Sequence, residues 1–145
     1  MSVLRVWCLA LTISSPIVAA DVQAQTRSSP VGAAIALSVE PAAIGYCRDR
    51  DREQAVACAM KACEADGGQS CQPVTWCHVA GAGGVMFGYN TDAGMSALFG
   101  ACGGFSREGI EAVLKARCAS DAKHDDCAMV KFWDVDGAEI DVKPQ

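Results

Sequence analysis

Nine cysteines in 145 residues are the first chemistry to account for. Thiols at this density serve as disulfide partners, metal ligands or nucleophiles, and spacing separates these uses. No Cys-x2-Cys pair occurs, and the two histidines, His78 and His124, lie far apart with no partner at zinc-finger spacing, so no metal site is expected. Cys77-His78 sets a thiol beside a base, but neighbours on a strand point to opposite faces, and a paired cysteine is no nucleophile. His124-Asp125-Asp126 falls in a polar stretch where a solvated turn is the plainer reading. Asp134 and Asp136 are two carboxylates that nothing marks as an acid/base pair. Gly81-Ala-Gly83-Gly84 lacks the Lys-Ser/Thr ending of a phosphate loop and leads into a strand pattern, so a glycine turn between closely approaching strands is expected. Trp76, Phe132 and Trp133 read as packing aromatics. The residues assign no catalytic, cofactor-binding or metal-binding role, which leaves disulfide formation.

The first 24 residues read as a secretory leader: Arg5, an apolar run from Val6 to Ala20, then a small-residue exit. Val22-Gln23-Ala24 favours cleavage before Gln25, with Val18-Ala19-Ala20 as the competing site. The apolar run is shorter than the roughly 20 residues of a membrane span, so no stable membrane insertion is expected. Cleavage removes Cys8 and leaves an even set: Cys47, Cys58, Cys63, Cys71, Cys77, Cys102, Cys118 and Cys127. A secreted or periplasmic location follows from leader and thiols together. Residues 25–30 read as a linker, 31–137 as the folded domain, and 138–145 as an acidic, fraying tail. The net charge of −5 argues against nucleic acid as a partner and suits a basic protein. The oligomeric state is left open.

The elements that would position these cysteines repeat. Sixteen positions separate Cys47 from Cys63, and sixteen separate Cys102 from Cys118. At an offset of 55, Gly45 answers Gly100, Asp51-Arg52-Glu53 answers Ser106-Arg107-Glu108, and Ala57 answers Ala112. Val31–Leu37 resembles Gly81–Phe87, and Val74-Thr-Trp76 answers Val130-Lys-Phe132. Asp51 and Ser106 are good helix N-caps. One face carries Ile110, Val113, Leu114 and Cys118 in the second copy, and Ala55, Cys58, Ala59 and Cys63 in the first. The expected fold is α+β: two duplicated β-β-α-β units, about 31–80 and 81–134, sharing one core, with the helices packed on antiparallel strands.

These pieces resemble the secreted Ala- and Cys-rich family called domain of unknown function 4189. The resemblance is carried by Gly32-Ala33-Ala34-Ile35-Ala36, Gly45-Tyr46, Ala55 through Cys63 and Cys71-Gln-Pro-Val74-Thr-Trp76. The second copy matches through Gly83-Gly84-Val85-Met86 and Cys127-Ala-Met-Val130-Lys-Phe132. It implies export and a two-unit fold, and it implies no activity. Cys47, Cys58, Cys77 and Cys102 lie outside the family's pattern.

Local bridges Cys63–Cys71 and Cys118–Cys127 are expected, each joining a helix end to the next strand. For the other four, a helix rises 1.5 Å per residue and a strand about 3.3 Å, so Cys58 and Cys77 drift apart along antiparallel elements. Cys47–Cys77 within the first unit and Cys58–Cys102 between units are expected instead. The function expected by elimination is a non-catalytic binding module, in its sharpest form an inhibitor or immunity-type protein. The alternatives are a small envelope hydrolase using His78 or His124, and a structural component of the envelope.

Overall fold

Gly32–Leu37 and Ala82–Phe87 are runs of small and aliphatic residues without polar alternation, the pattern of strands covered on both faces. The computed structural model describes residues 31–120 and 124–142 and makes these runs the central strands β1 (Gly32–Ser38) and β4 (Ala82–Asn90). The leader, its cleavage sites, Cys8 and the 25–30 linker lie outside the described residues. Around β1, β2 (Ala43–Asp49) and β3 (Gln72–Cys77) pair antiparallel on either side, with α1 (Arg52–Ala65) between them in sequence. Around β4, β5 (Met95–Gly104) and β6 (Asp126–Trp133) do the same, with α2 (Arg107–Ser120) between. A short β7 (Glu139–Ile140) extends the second sheet beyond β6. The protein is α+β, with two antiparallel sheets and two helices.

The helices begin where their caps place them. Asp51 accepts a hydrogen bond from the Gln54 amide at 2.9 Å, and Ser106 accepts one from the Gly109 amide at 3.2 Å. Each helix buries every fourth residue: Ala55, Ala59 and Cys63 in α1, and Ile110, Leu114 and Cys118 in α2. Cys58 and Val113, expected on the same face, are exposed.

The two sheets lie face to face and the helices cover the outer sides, so the core common to both sheets lies between them and each helix adds a cluster of its own. Ala34, Ala36, Ala43 and Cys71 pack with the buried face of α1. Met86, Phe99, Ala101 and Phe132 pack with α2. Between the sheets, Ile35, Leu37, Val85 and Trp133 form a third cluster, joined by Ile44, Tyr46, Leu98 and Cys102. Strand alternation drives the partition, because Ala34 and Ala36 turn toward α1 while Ile35 and Leu37 turn toward the other sheet.

Strand pairing also corrects the repeat. Ala36 pairs with Gly45, and Met86 pairs with Phe99. Both pairs face their own helix, so the position matching Gly45 is Phe99, at an offset of 54. Gly103 then bulges out of β5 with φ +83°. The extra residue moves the offset to 55 for α2. The Gly45–Gly100 and Cys47–Cys102 matches therefore join residues on opposite sheet faces. A second bulge does recur in register: Val74 in β3 and Val130 in β6 are both skipped by the central strand.

That facing decides the disulfides. Cys63–Cys71 and Cys118–Cys127 close the two polar loops, with Cα atoms 6.1 and 6.3 Å apart. Cys47–Cys77 and Cys58–Cys102 do not form. Cys47 sits opposite Ala34, whose side chain faces α1, and bonds Cys58 of that helix, Cα to Cα 5.7 Å. Cys77 sits opposite Ala33, which faces away from α1, and bonds Cys102 across the sheet interface at 5.8 Å. With α1 on the outer face, Cys58 cannot reach Cys102. Four disulfides fit an oxidising compartment, and no helix of the described residues is long and apolar enough to cross a membrane. The acidic end is not all tail, because β7 pairs with Phe132 and Trp133.

Candidate functional site

A helix packed on a three-stranded sheet covers all three strands only if it sits over the middle one. Here small residues let α1 settle to one side. Gly45 of β2 lies so close under the helix that a Cβ there would overlap the Ala59 carbonyl oxygen and the Cys63 amide nitrogen. The Cys47–Cys58 bond fastens the same flank. The helix packs mainly on β2 and β1 and far less on β3. A groove of 590 Å³ remains between α1 and β3, lined by Arg52, Glu53, Val56 and Ala57 on one wall and Pro73, Val74, Thr75 and Trp76 on the other.

The groove is mostly apolar, with one charge of each sign among its lining residues. Trp76 lines it, half-buried and laid across the backbone of Gly32, where no side chain would fit. Neither Arg52 nor Glu53 makes an ion pair among the described residues. β3 is an edge strand, with β1 on one side and no strand on the other among the described residues. Pro73 withholds one backbone donor from that edge.

The residues singled out by sequence do not assemble into a catalytic set. His78 is exposed at the end of β3, while His124 is buried against the edge of Phe99, ring centroids 5.4 Å apart. Neither nitrogen of His124 has a hydrogen-bond partner among the described residues. Asp125 accepts the Thr91 amide at 3.1 Å, and hydrogen bonding from the Thr91 side chain first, and its backbone second, holds the Asp125 carboxyl below the usual range. Asp134 accepts the amides of Asp136 and Ala138 at 3.0 and 2.9 Å, which makes it the organiser of a turn. Gly84 faces α2, where a Cβ would crowd Ile110 and Met129, so the glycine run serves close packing. Phe132 and Trp133 are core residues, and Arg107 stands over the Phe132 ring at 5.7 Å. Trp76 packs against the cluster under α1, as read from sequence, and also lines the groove.

Sequence reasoning missed the groove wall of Arg52, Val56 and Ala57. One signal pointed to it: Pro73 inside a strand pattern marks an edge strand. Among the described residues, no group of three or more His, Cys, Asp or Glu side chains could hold a metal ion. No family model, no curated protein and no solved structure matches the chain.

Proposed function

We propose that this chain is an exported, disulfide-stapled binding module that grips another protein through the groove between α1 and β3. The observation that carries the reading is the groove itself: apolar walls, a free strand edge and a rigid frame. Two of the four disulfides, Cys47–Cys58 and Cys63–Cys71, tie the middle and the C-terminal end of α1 to its own sheet. The net charge of −5 suits a basic partner. The sharper form is an inhibitor or immunity-type protein that occludes a partner's active site. Export rests on the leader of residues 1–24, and the resemblance to domain of unknown function 4189 implies the same.

We also infer that the two β-β-α-β units, about 31–80 and 81–134, arose by duplication. The matching helix faces, the local disulfides at helix ends and the bulges at Val74 and Val130 support this, because bulge positions are designed features of a sheet.

A histidine-dependent hydrolase is the rival. Two variants separate the readings: His78→Ala with His124→Ala, and Ala57→Arg, which fills the groove from an exposed helix position. The binding reading expects the histidine pair to keep the cellular phenotype and Ala57→Arg to lose it. The reverse pattern would establish the hydrolase.

A further inference from the structure

The two sheets end differently on their matching sides. β6 and β3 hold the same place: Phe132 and Trp133 sit opposite Gly84 and Gly83, while Trp76 and Cys77 sit opposite Ala34 and Ala33. On β6 the outer edge is filled by the chain's own β7, in the register Phe132 to Ile140 and Trp133 to Glu139. On β3 the chain turns away after Cys77 toward β4, and among the described residues no strand takes that edge.

β7 shows what such an edge accepts. Ile140 stands opposite Phe132, and Val142, two residues on, packs against the cluster under α2. Residues two apart on an extended chain share a face, so Ile140 and Val142 lie on the side of the sheet that Phe132 presents to α2. On α2 itself, Glu111 pairs with Lys115 at 2.7 Å. The corresponding residue in α1 is Val56, which lines the open groove with Ala57, Pro73 and Trp76. The first unit thus presents an apolar wall and a bare edge where the second is already served.

We propose that the groove binds an extended peptide segment of a partner protein, which adds antiparallel to Trp76 and Cys77 as a fourth strand. Its two apolar side chains, one residue apart, would lie along Val56, Ala57 and Trp76. This rests on the groove being the docking site and names what docks there. Strand addition draws affinity from main-chain hydrogen bonds and specificity from alternate side chains. Pro73 limits the pairing to residues beyond the bulged Val74, as β7 is limited to residues beyond the bulged Val130.

The test uses the exported protein with its disulfides intact, isotope-labelled, and the blocked peptide acetyl-Gly-Ala-Glu-Ile-Asp-Val-amide, which copies the β7 segment. Titration should move the amide signals of Trp76, Cys77 and α1 residues Arg52 to Ala57. Methylating the backbone nitrogen of the peptide's isoleucine removes one donor and leaves the side chains, and should weaken binding roughly tenfold. Ala57→Arg, at an exposed site that keeps the fold, should abolish the shifts. Equal binding of the methylated peptide would overturn strand addition while leaving the groove as a docking site. Absence of any shift at Trp76 and Cys77 at millimolar peptide would overturn the proposal, whatever Ala57→Arg does to the phenotype. Concentration-dependent sedimentation, with those two amides protected in the dimer, would overturn it in favour of a second copy.

Discussion

Tyr46 of β2 lies face to face on Trp133 of β6, ring centroids 4.4 Å apart and planes within 11° of parallel. The stack crosses from the first sheet to the second. Trp133 holds the register position in its sheet that Cys77 holds in the other, opposite Gly83 and Ala33 respectively. Cys77 crosses the same interface through its bond to Cys102. The sheets are therefore joined by an aromatic stack at one matching position and by a covalent bond at the other.

The Tyr46 hydroxyl is buried with no hydrogen-bond partner among the described residues. Burial raises its pKa; Arg48 works against the rise and Asp134 adds to it. A phenol whose folded pKa lies above its unfolded value of 10.0 contributes stability in full below pH 10. That contribution is lost as pH rises through the folded value, because the unfolded chain ionises first. Tyr46→Phe keeps the stack and removes both the stranded hydroxyl and the titration. It should leave stability at pH 7 unchanged or slightly raised and flatten the loss above pH 10. Urea melts from pH 7 to 11 measure both, and an unaltered alkaline limb would contradict the assignment.

Replacing Cys77 and Cys102 together by serine should destabilise the protein by about 3.5 kcal/mol in the chain-entropy model, for a separation of 25 residues. Cys47 with Cys58 spans only 11 residues, and its removal should cost less. Proteolysis without reduction should yield linked peptides for Cys47–Cys58 and Cys77–Cys102. A Cys47–Cys77 peptide would show that these residues face the same side of the first sheet.

Gly45 and Gly100 match in sequence and differ in surroundings. Gly45→Ala drives a methyl into the backbone of α1 and should cost about 3 kcal/mol, since backbone cannot step aside as a side chain can. Gly100→Ala meets the methyl groups of Val74 and Ile35 at 3.1 and 3.3 Å, which can shift by a few tenths of an ångström. Its cost should stay below about 1 kcal/mol. Equal losses in thermal melts would restore the sequence alignment over the structural one.

The same pair shows what could be read from sequence. Caps, helix faces and loop-closing cysteines follow local rules, and Asp51, Ser106, Cys63 and Cys118 sit where those rules place them. The inter-sheet arrangement does not follow locally. One bulged residue, Gly103, reverses the facing of Cys102 relative to Cys47, and no spacing count detects a bulge. The groove escaped notice for a related reason. It comes from the offset of α1 over β2, which depends on a contact between Gly45 and a helix carbonyl far along the chain.

Ending the chain after Asp136 would strip β7 from β6. The ion pair of Lys131 with Glu139 at 2.6 Å is exposed and contributes little, so the loss comes from Ile140 and Val142. Ile140 is exposed and Val142 only partly buried, and their removal should cost about 1 kcal/mol, less than a full core truncation. The shortened protein should then expose at Phe132 and Trp133 the kind of edge that Trp76 and Cys77 expose in the intact chain. A β7 peptide supplied in solution should bind there, restore the lost stability in proportion to its concentration, and protect the β6 amides from hydrogen exchange. Its footprint on β6 would then calibrate the footprint on β3, where α1 carries Val56 at the position of Glu111 in α2. If the peptide failed to restore the melt of the shortened chain, β7 would be a passive appendage, and the strand-addition model for β3 would lose its template.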